Sequence, residues 1–166
     1  YEEYFADLKN MGVPFLPYET YGRSPLENSS FLVSSANFNE KIHGKGFVAR
    51  LSGSTAEFLQ MWELMMNGEK LFTMQDGTLT FKLAPAIPAY LVKDDGKVET
   101  MLFGKIKVVY DCGSKRDLIP GQYAVTKYEL VAADGSIESC EAATVSGEAA
   151  QRIRDGKAAE IRVTIQ

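Results

Sequence analysis

The chain of 166 residues carries 45% apolar and 24% charged side chains. That composition builds one ordinary globular domain, or one domain with a piece of another attached, and excludes a disordered chain and a multidomain enzyme. Eighteen basic residues stand against 22 acidic ones, for a net charge of −4, so the broad positive field that nucleic acid or an anionic membrane surface demands is missing.

In chain order, Tyr4, Phe5 and Leu8 mark a short amphipathic stretch, followed by an irregular connector from Pro14 to Pro25. The segment from Glu27 to Ser35 is polar and then apolar. Glu27, Asn28 and Ser30 there read first as a connector that satisfies its own backbone, and they also suit hydrogen bonding to sugar hydroxyls. The clearest local signal follows. Ser54 and Glu57 have the S-x-x-E spacing of a capping box, which predicts a helix over about 55–67. Phe58, Met61, Trp62 and Met65 recur on one face, Leu59 and Met66 widen the apolar stripe into one that calls for burial, and Asn67-Gly68 supplies a left-handed stop.

From Leu71 on, β-rich runs alternate with turn signals. Strands are predicted around Leu79–Leu83, Ile87–Val92, Glu99–Phe103, Lys105–Tyr110, Ala124–Ala132, Ser136–Glu141 and Glu160–Ile165. Asp76-Gly77, Asp95-Gly96 and Asp134-Gly135 tolerate the positive φ of hairpin turns. A short helix is expected at about Gly147–Arg154. The fold class is therefore mainly β, with antiparallel strands forming a sandwich.

Cys112 and Cys140 fit no C-x-x-C or zinc-ligand spacing and are expected to be reduced and structural. No nucleophile elbow, phosphate-binding Walker loop, dinucleotide fingerprint or H-E-x-x-H is present. A single histidine, His43, rules out a self-contained triad or multi-histidine metal site and reads as a solvated loop residue. Tyr18, Tyr21, Tyr90, Tyr123 and Tyr128 read mostly as packing residues. The site with chemical promise is Arg50-Leu51-Ser52-Gly53-Ser54, at the entrance to the long helix. Unpaired N–H groups, a partial positive charge, serine hydroxyls, a guanidinium and a close-approach glycine outline a small-anion site there. The same serines also serve as ordinary helix caps.

The ordered series Leu51-Ser52-Gly53-Ser54-Thr55-Ala56-Glu57-Phe58, a helix closing at Asn67-Gly68, Asp76-Gly77-Thr78-Leu79-Thr80-Phe81, Ala84-Pro85-Ala86-Ile87-Pro88 and Leu102-Phe103-Gly104-Lys105-Ile106-Lys107-Val108 resembles the C-terminal part of glycoside hydrolase family 94. That family contains the cellobiose and chitobiose phosphorylases. The resemblance covers about Ser24 to Asp134. It implies that residues 1–68 are a remnant of a helical (α/α)₆ catalytic barrel and that residues 69–166 form a jelly-roll-like C-terminal β-sandwich. It further implies an inverting phosphorolysis of β-linked disaccharides or oligosaccharides, with an aspartic general acid upstream of this chain and inorganic phosphate as co-substrate. No other cofactor and no metal is expected. The family's phosphate-contacting Thr-Gly pair falls on Ser52-Gly53, with Arg50 offering charge. A family glutamine that reaches phosphate falls near Ser30, which is shorter, and the family's phosphate-site histidine has no counterpart in His43. Glu27, Asn28 and Ser30 are the residues expected on the substrate-binding wall.

Tyr1 in place of an initiating Met accords with tag removal, signal cleavage or excision from a longer polypeptide, and the resemblance favours the last. The expected partners are a carbohydrate substrate, the rest of the parent barrel and, in a homodimer, a second copy; nucleic acid and membrane are not among them. No apolar run reaches the roughly 18–20 residues needed to span a bilayer, and no charged-then-apolar leader opens the chain, so a soluble, cytoplasmic protein is expected. Two other readings compete: a glycoside hydrolase of related fold, and a free-standing carbohydrate-binding or interaction module. A module predicts an exposed tyrosine platform on one sheet face. A fragment predicts apolar surface left uncovered on the Phe58–Met66 face or at Tyr4–Leu8.

Overall fold

The computed structural model describes residues 1–12, 16–22, 29–49 and 52–166, with backbone alone at 21, 29–31, 46–49 and 52–55. The chain divides into two compact units, Tyr1–Trp62 and Glu63–Gln166.

In the first unit, α1 (Glu2–Met11) places Glu2 and Glu3 at its positive end and Lys9 in its last turn, complementing the helix dipole. Phe5 and Leu8, one turn apart, are buried. The rings of Tyr1 and Tyr4 tilt against Phe5 at 6.0 and 5.8 Å. A single turn, α2 (Tyr18–Tyr21), ends at Gly22 with φ 83°. The strands β1 (Ser29–Leu32) and β2 (Gly46–Ala49) then pair antiparallel, with register shifts inside the pairing. The loop between them is stapled by short polar bonds. The N–H groups of Ala36, Asn39 and Lys41 donate to Ser34 Oγ, Asn37 Oδ1 and Asn39 Oδ1 at 3.2, 2.9 and 3.2 Å. Each is a local side-chain-to-backbone bond of the kind that holds turns.

The long helix α3 runs over Ser52–Asn67. It ends where the sequence predicts, but it is already under way two residues before Ser54, so Ser54 lies within its first turn and does not cap it from outside. Its stripe is graded. Phe58, Met61 and Trp62 are half-buried, and Met65 and Met66 are fully buried. Leu59 and Leu64 stand 59% and 45% exposed. Phe58 and Trp62, one turn apart, stack at 6.3 Å.

The last turn of α3 belongs to the second unit, which satisfies all the carbonyls that a helix end leaves orphaned. Leu64 O accepts from Gly68 N–H at 2.9 Å, Met65 O from Ala86 N–H at 2.7 Å and Asn67 O from Ala84 N–H at 3.0 Å. Met66 O accepts from the Tyr110 hydroxyl at 2.7 Å. Gly68 sits at φ 96°, and a Cβ there would lie 3.1 Å from Ala84, so both its backbone angle and its surroundings demand glycine.

From there β3 (Phe72–Gln75) and β4 (Thr78–Phe81) form a hairpin in which Asp76 and Gly77 take φ 48° and 76°, a two-residue turn with both residues left-handed. The strands β5 (Lys97–Leu102), β6 (Ile106–Asp111), β7 (Val125–Val131) and β8 (Ile137–Cys140) form two more hairpins. They are followed by β9 (Val145–Ser146), α4 (Glu148–Arg154) and β10 (Glu160–Ile165). One sheet has the order β3-β4-β9 and the other β5-β6-β10-β7-β8. The protein is mainly β, as the sequence predicts.

Two expectations are corrected. β10 inserts between the hairpins and runs parallel to β6, so the larger sheet is mixed rather than antiparallel throughout. The stretch Ile87–Val92 is not a strand. Ile87 alone bridges Leu118, and Ala89–Leu91 coils into a 3₁₀ turn after Pro88, which has no N–H to offer a ladder.

The faces of the larger sheet differ in kind. Inward, Val98, Tyr110, Val163 and Tyr128 form one row across four strands, all buried. Outward, an ion-pair chain runs Lys93–Glu99–Lys107–Glu160–Arg162–Glu129–Lys127–Glu141, with separations from 2.6 to 4.0 Å. The ends of this chain bear on their ionisation: the lysines hold Glu99 below the usual carboxylate range, and Glu129 with Glu141 push Lys127 upward.

Candidate functional site

The described residues of the sequence-predicted site lie around the entrance to α3. Glu27, Asn28 and Arg50 lie outside the described residues. Ser52 and Gly53 are the first two residues of α3, and Ser30 is the second residue of β1, all three placed by backbone. The topology brings these positions to one end of the β1–β2 pair. Ser29 is the partner of Ala49, and only Arg50 and Leu51 separate Ala49 from the start of the helix. Ser30 therefore sits next to the paired residue from which the chain enters α3. The opening N–H groups of a sixteen-residue helix, together with its macrodipole, favour an anion there.

The other candidates resolve into structural roles. His43 is half-buried rather than solvated, and its Nε2 lies 2.7 Å from the Asn37 carbonyl. Since a carbonyl only accepts, Nε2 carries the proton and the ring closes the loop. An open hollow of about 490 Å³ is lined by Leu32, Val33, Ser34, Ala36 and Asn37, at the opposite end of the β1–β2 pair from α3.

Among the described residues, Tyr110, Tyr123 and Tyr128 take structural roles rather than standing out on a sheet face. Tyr128 is buried and its hydroxyl oxygen accepts from Leu83 N–H at 3.0 Å. Tyr123 is half-buried and its hydroxyl donates to Pro85 O at 2.6 Å. Burial raises the Tyr128 hydroxyl to about 12 and takes Tyr110 well above its ordinary value. Tyr18, on α2, and Tyr90, in the 3₁₀ turn, are exposed. The outer face of the larger sheet, where a platform would lie, carries the ion-pair chain.

Sequence reading missed a hollow of about 300 Å³ at the far edge of that sheet, between Val131, Ile137, Arg152 and Lys157. No motif announces it, because it arises where α4 meets a strand edge. Its cations are already neutralised: Arg152 pairs with Glu138 and Lys157 with Asp155. Cys112 and Cys140 are both free, and burial raises the Cys112 thiol to about 11, leaving it inert as a nucleophile at neutral pH. Among the described residues no group of three His, Cys, Asp or Glu side chains could hold a metal ion. No helix among them is long and apolar enough to cross a membrane. No family model matches the chain, and no curated protein or solved structure matches it.

Proposed function

We propose that this chain is the C-terminal part of an inverting glycoside phosphorylase similar to those of glycoside hydrolase family 94. In this reading residues 1–68 complete a helical catalytic barrel, and the following β-rich part is its jelly-roll-like cap. Phosphate oxygen attacks the anomeric carbon of a β-linked sugar as the glycosidic C–O bond breaks. The departing oxygen takes its proton from an aspartic acid supplied outside this chain. Ser52 offers a hydroxyl, Gly53 a backbone N–H and Arg50 a guanidinium, so that the phosphate is held and the attack becomes effectively intramolecular. Glu27, Asn28 and Ser30 border the sugar.

The observation that carries the reading is the position of Ser52-Gly53. The pair that the resemblance assigns to phosphate occupies the opening of a long helix, where physics alone favours an anion. The uncovered Leu59 and Leu64 also fit a piece of a larger barrel, whereas Phe5 and Leu8 at the other expected patch are covered.

The test is kinetic, on the full reading frame that carries this chain. Ser52→Ala is expected to raise the KM for phosphate and to lower kcat/KM about 10²-fold, comparable to loss of one anion-stabilising donor. Cleavage that proceeds equally without phosphate, or a Ser52→Ala enzyme with unchanged phosphate dependence, would return Ser52 to a capping role.

A further inference from the structure

The four outermost strands of the second unit's sheets are protected unequally. β5 carries Lys97 and Glu99, β8 carries Glu138, and β9 is only two residues long. Charge and brevity are the usual guards against edge-to-edge pairing. β3 has neither charge nor proline within Phe72–Gln75, and its pairing with β4 is free of bulges. Thr73, Met74 and Gln75 are exposed, Met74 at 63%.

Hydrogen-bond parity fixes what such an edge can accept. Lys82 N–H donates to Leu71 O at 2.9 Å, and Gln75 faces Thr78 across the tight turn. Leu71, Thr73 and Gln75 thus spend their backbone groups on β4, and the alternation turns those of Phe72 and Met74 toward the open side. An antiparallel partner uses both residues fully only if it presents two donor–acceptor residues with the same spacing. A second copy does so when Phe72 faces its Met74 and Met74 faces its Phe72, with Thr73 opposite Thr73 on the two-fold axis.

The same register sets Lys70 opposite Asp76 of the second copy, on both sides of the axis. Both residues are exposed and neither has an ion pair among the described residues. Phe72 already leans on Phe81 at 5.1 Å and stacks on the half-exposed Phe103 at 6.2 Å. A methionine arriving opposite Phe72 extends that aromatic cluster. We propose that β3 is a self-complementary edge through which two copies of this chain pair antiparallel about an axis at Thr73, joining their smaller sheets into one.

The experiment is sedimentation equilibrium of the 166-residue chain. A concentration-dependent dimer is expected. Thr73→Lys sets like charges on the axis and is expected to raise the dimer dissociation constant about 100-fold. Lys70→Glu opposes Asp76 and raises it about fivefold at low salt, less at high salt. Should Thr73→Lys disturb folding, Thr73→Cys in a Cys140→Ser background decides, since two axial cysteines in a non-hydrogen-bonded pair form a disulfide on oxidation. A monomer at every concentration, a dimer indifferent to Thr73→Lys, or a Thr73→Cys chain that fails to crosslink overturns the proposal.

Discussion

Among the described side chains, buried ones are unevenly shared between the two units. In Glu63–Gln166, the strands β5, β6, β7 and β10 of the larger sheet contribute buried residues, and tyrosine hydroxyls tie Leu83 and the end of α3 to the core. In Tyr1–Trp62, the described buried side chains are Phe5 and Leu8, while Phe38 stands 99% exposed, Tyr18 62% and Leu59 59%. The proposed phosphate residues Ser52 and Gly53 belong to the first unit. The buried sheet core of the second unit and the proposed chemistry thus lie in different parts of the chain, and substitutions should separate them.

The largest expected effect is on stability. Tyr128→Ala removes a fully buried ring that meets Phe81 at 6.1 Å, and is expected to cost about 3–5 kcal/mol in denaturant unfolding of the second unit. Tyr128→Phe keeps the ring but orphans the buried Leu83 N–H, for about 1–2 kcal/mol. A ring deletion that left the second unit's unfolding midpoint unmoved would break the contrast.

Alkaline pH sharpens it. Burial raises Cys112 from 9.0 to about 11 and Tyr128 from 10.0 to about 12, and takes Tyr110 well above its ordinary value. The folded state therefore keeps protons that the unfolded chain releases. Stability is fully present below about pH 9, where both states are neutral, and falls as pH climbs through 10 toward 12. Tyrosinate absorbance should show Tyr110 and Tyr128 ionising together with unfolding. Ionisation of all tyrosines in a single early step would contradict the burial. The smallest effect is expected for Ser52→Ala, at most about 1 kcal/mol in stability, so that its kinetic loss is read on a folded protein.

What was legible in the sequence was local. Ile161, Val163 and Ile165 alternate with Arg162 and Thr164, and β10 falls at Glu160–Ile165 with those apolar residues buried. Asp76-Gly77 and Asn67-Gly68 announce a turn and a helix end through backbone angles that few residues tolerate. The parallel pairing of β10 with β6 has no such signature, because it joins segments some fifty residues apart and depends on which slot the hairpins leave open. Ile87–Val92 reads as a strand by composition, but Pro85 and Pro88 withhold the donors a strand needs. The early start of α3 was hidden because a capping box reports side-chain spacing, while β2, ending at Ala49, fixes where the chain turns into the helix. Of the site, the sequence marked Ser52 and Gly53 through helix-end chemistry, and the pairing of Ser29 with Ala49 adds that Ser30 lies at the same end.

The most direct test of the phosphorylase reading is the product itself. Full-length enzyme should be incubated with a β-linked disaccharide and phosphate, and followed by proton and phosphorus magnetic resonance. The account predicts an α-configured sugar 1-phosphate formed as the phosphate signal is consumed. Free reducing sugar with the phosphate signal unchanged would contradict it.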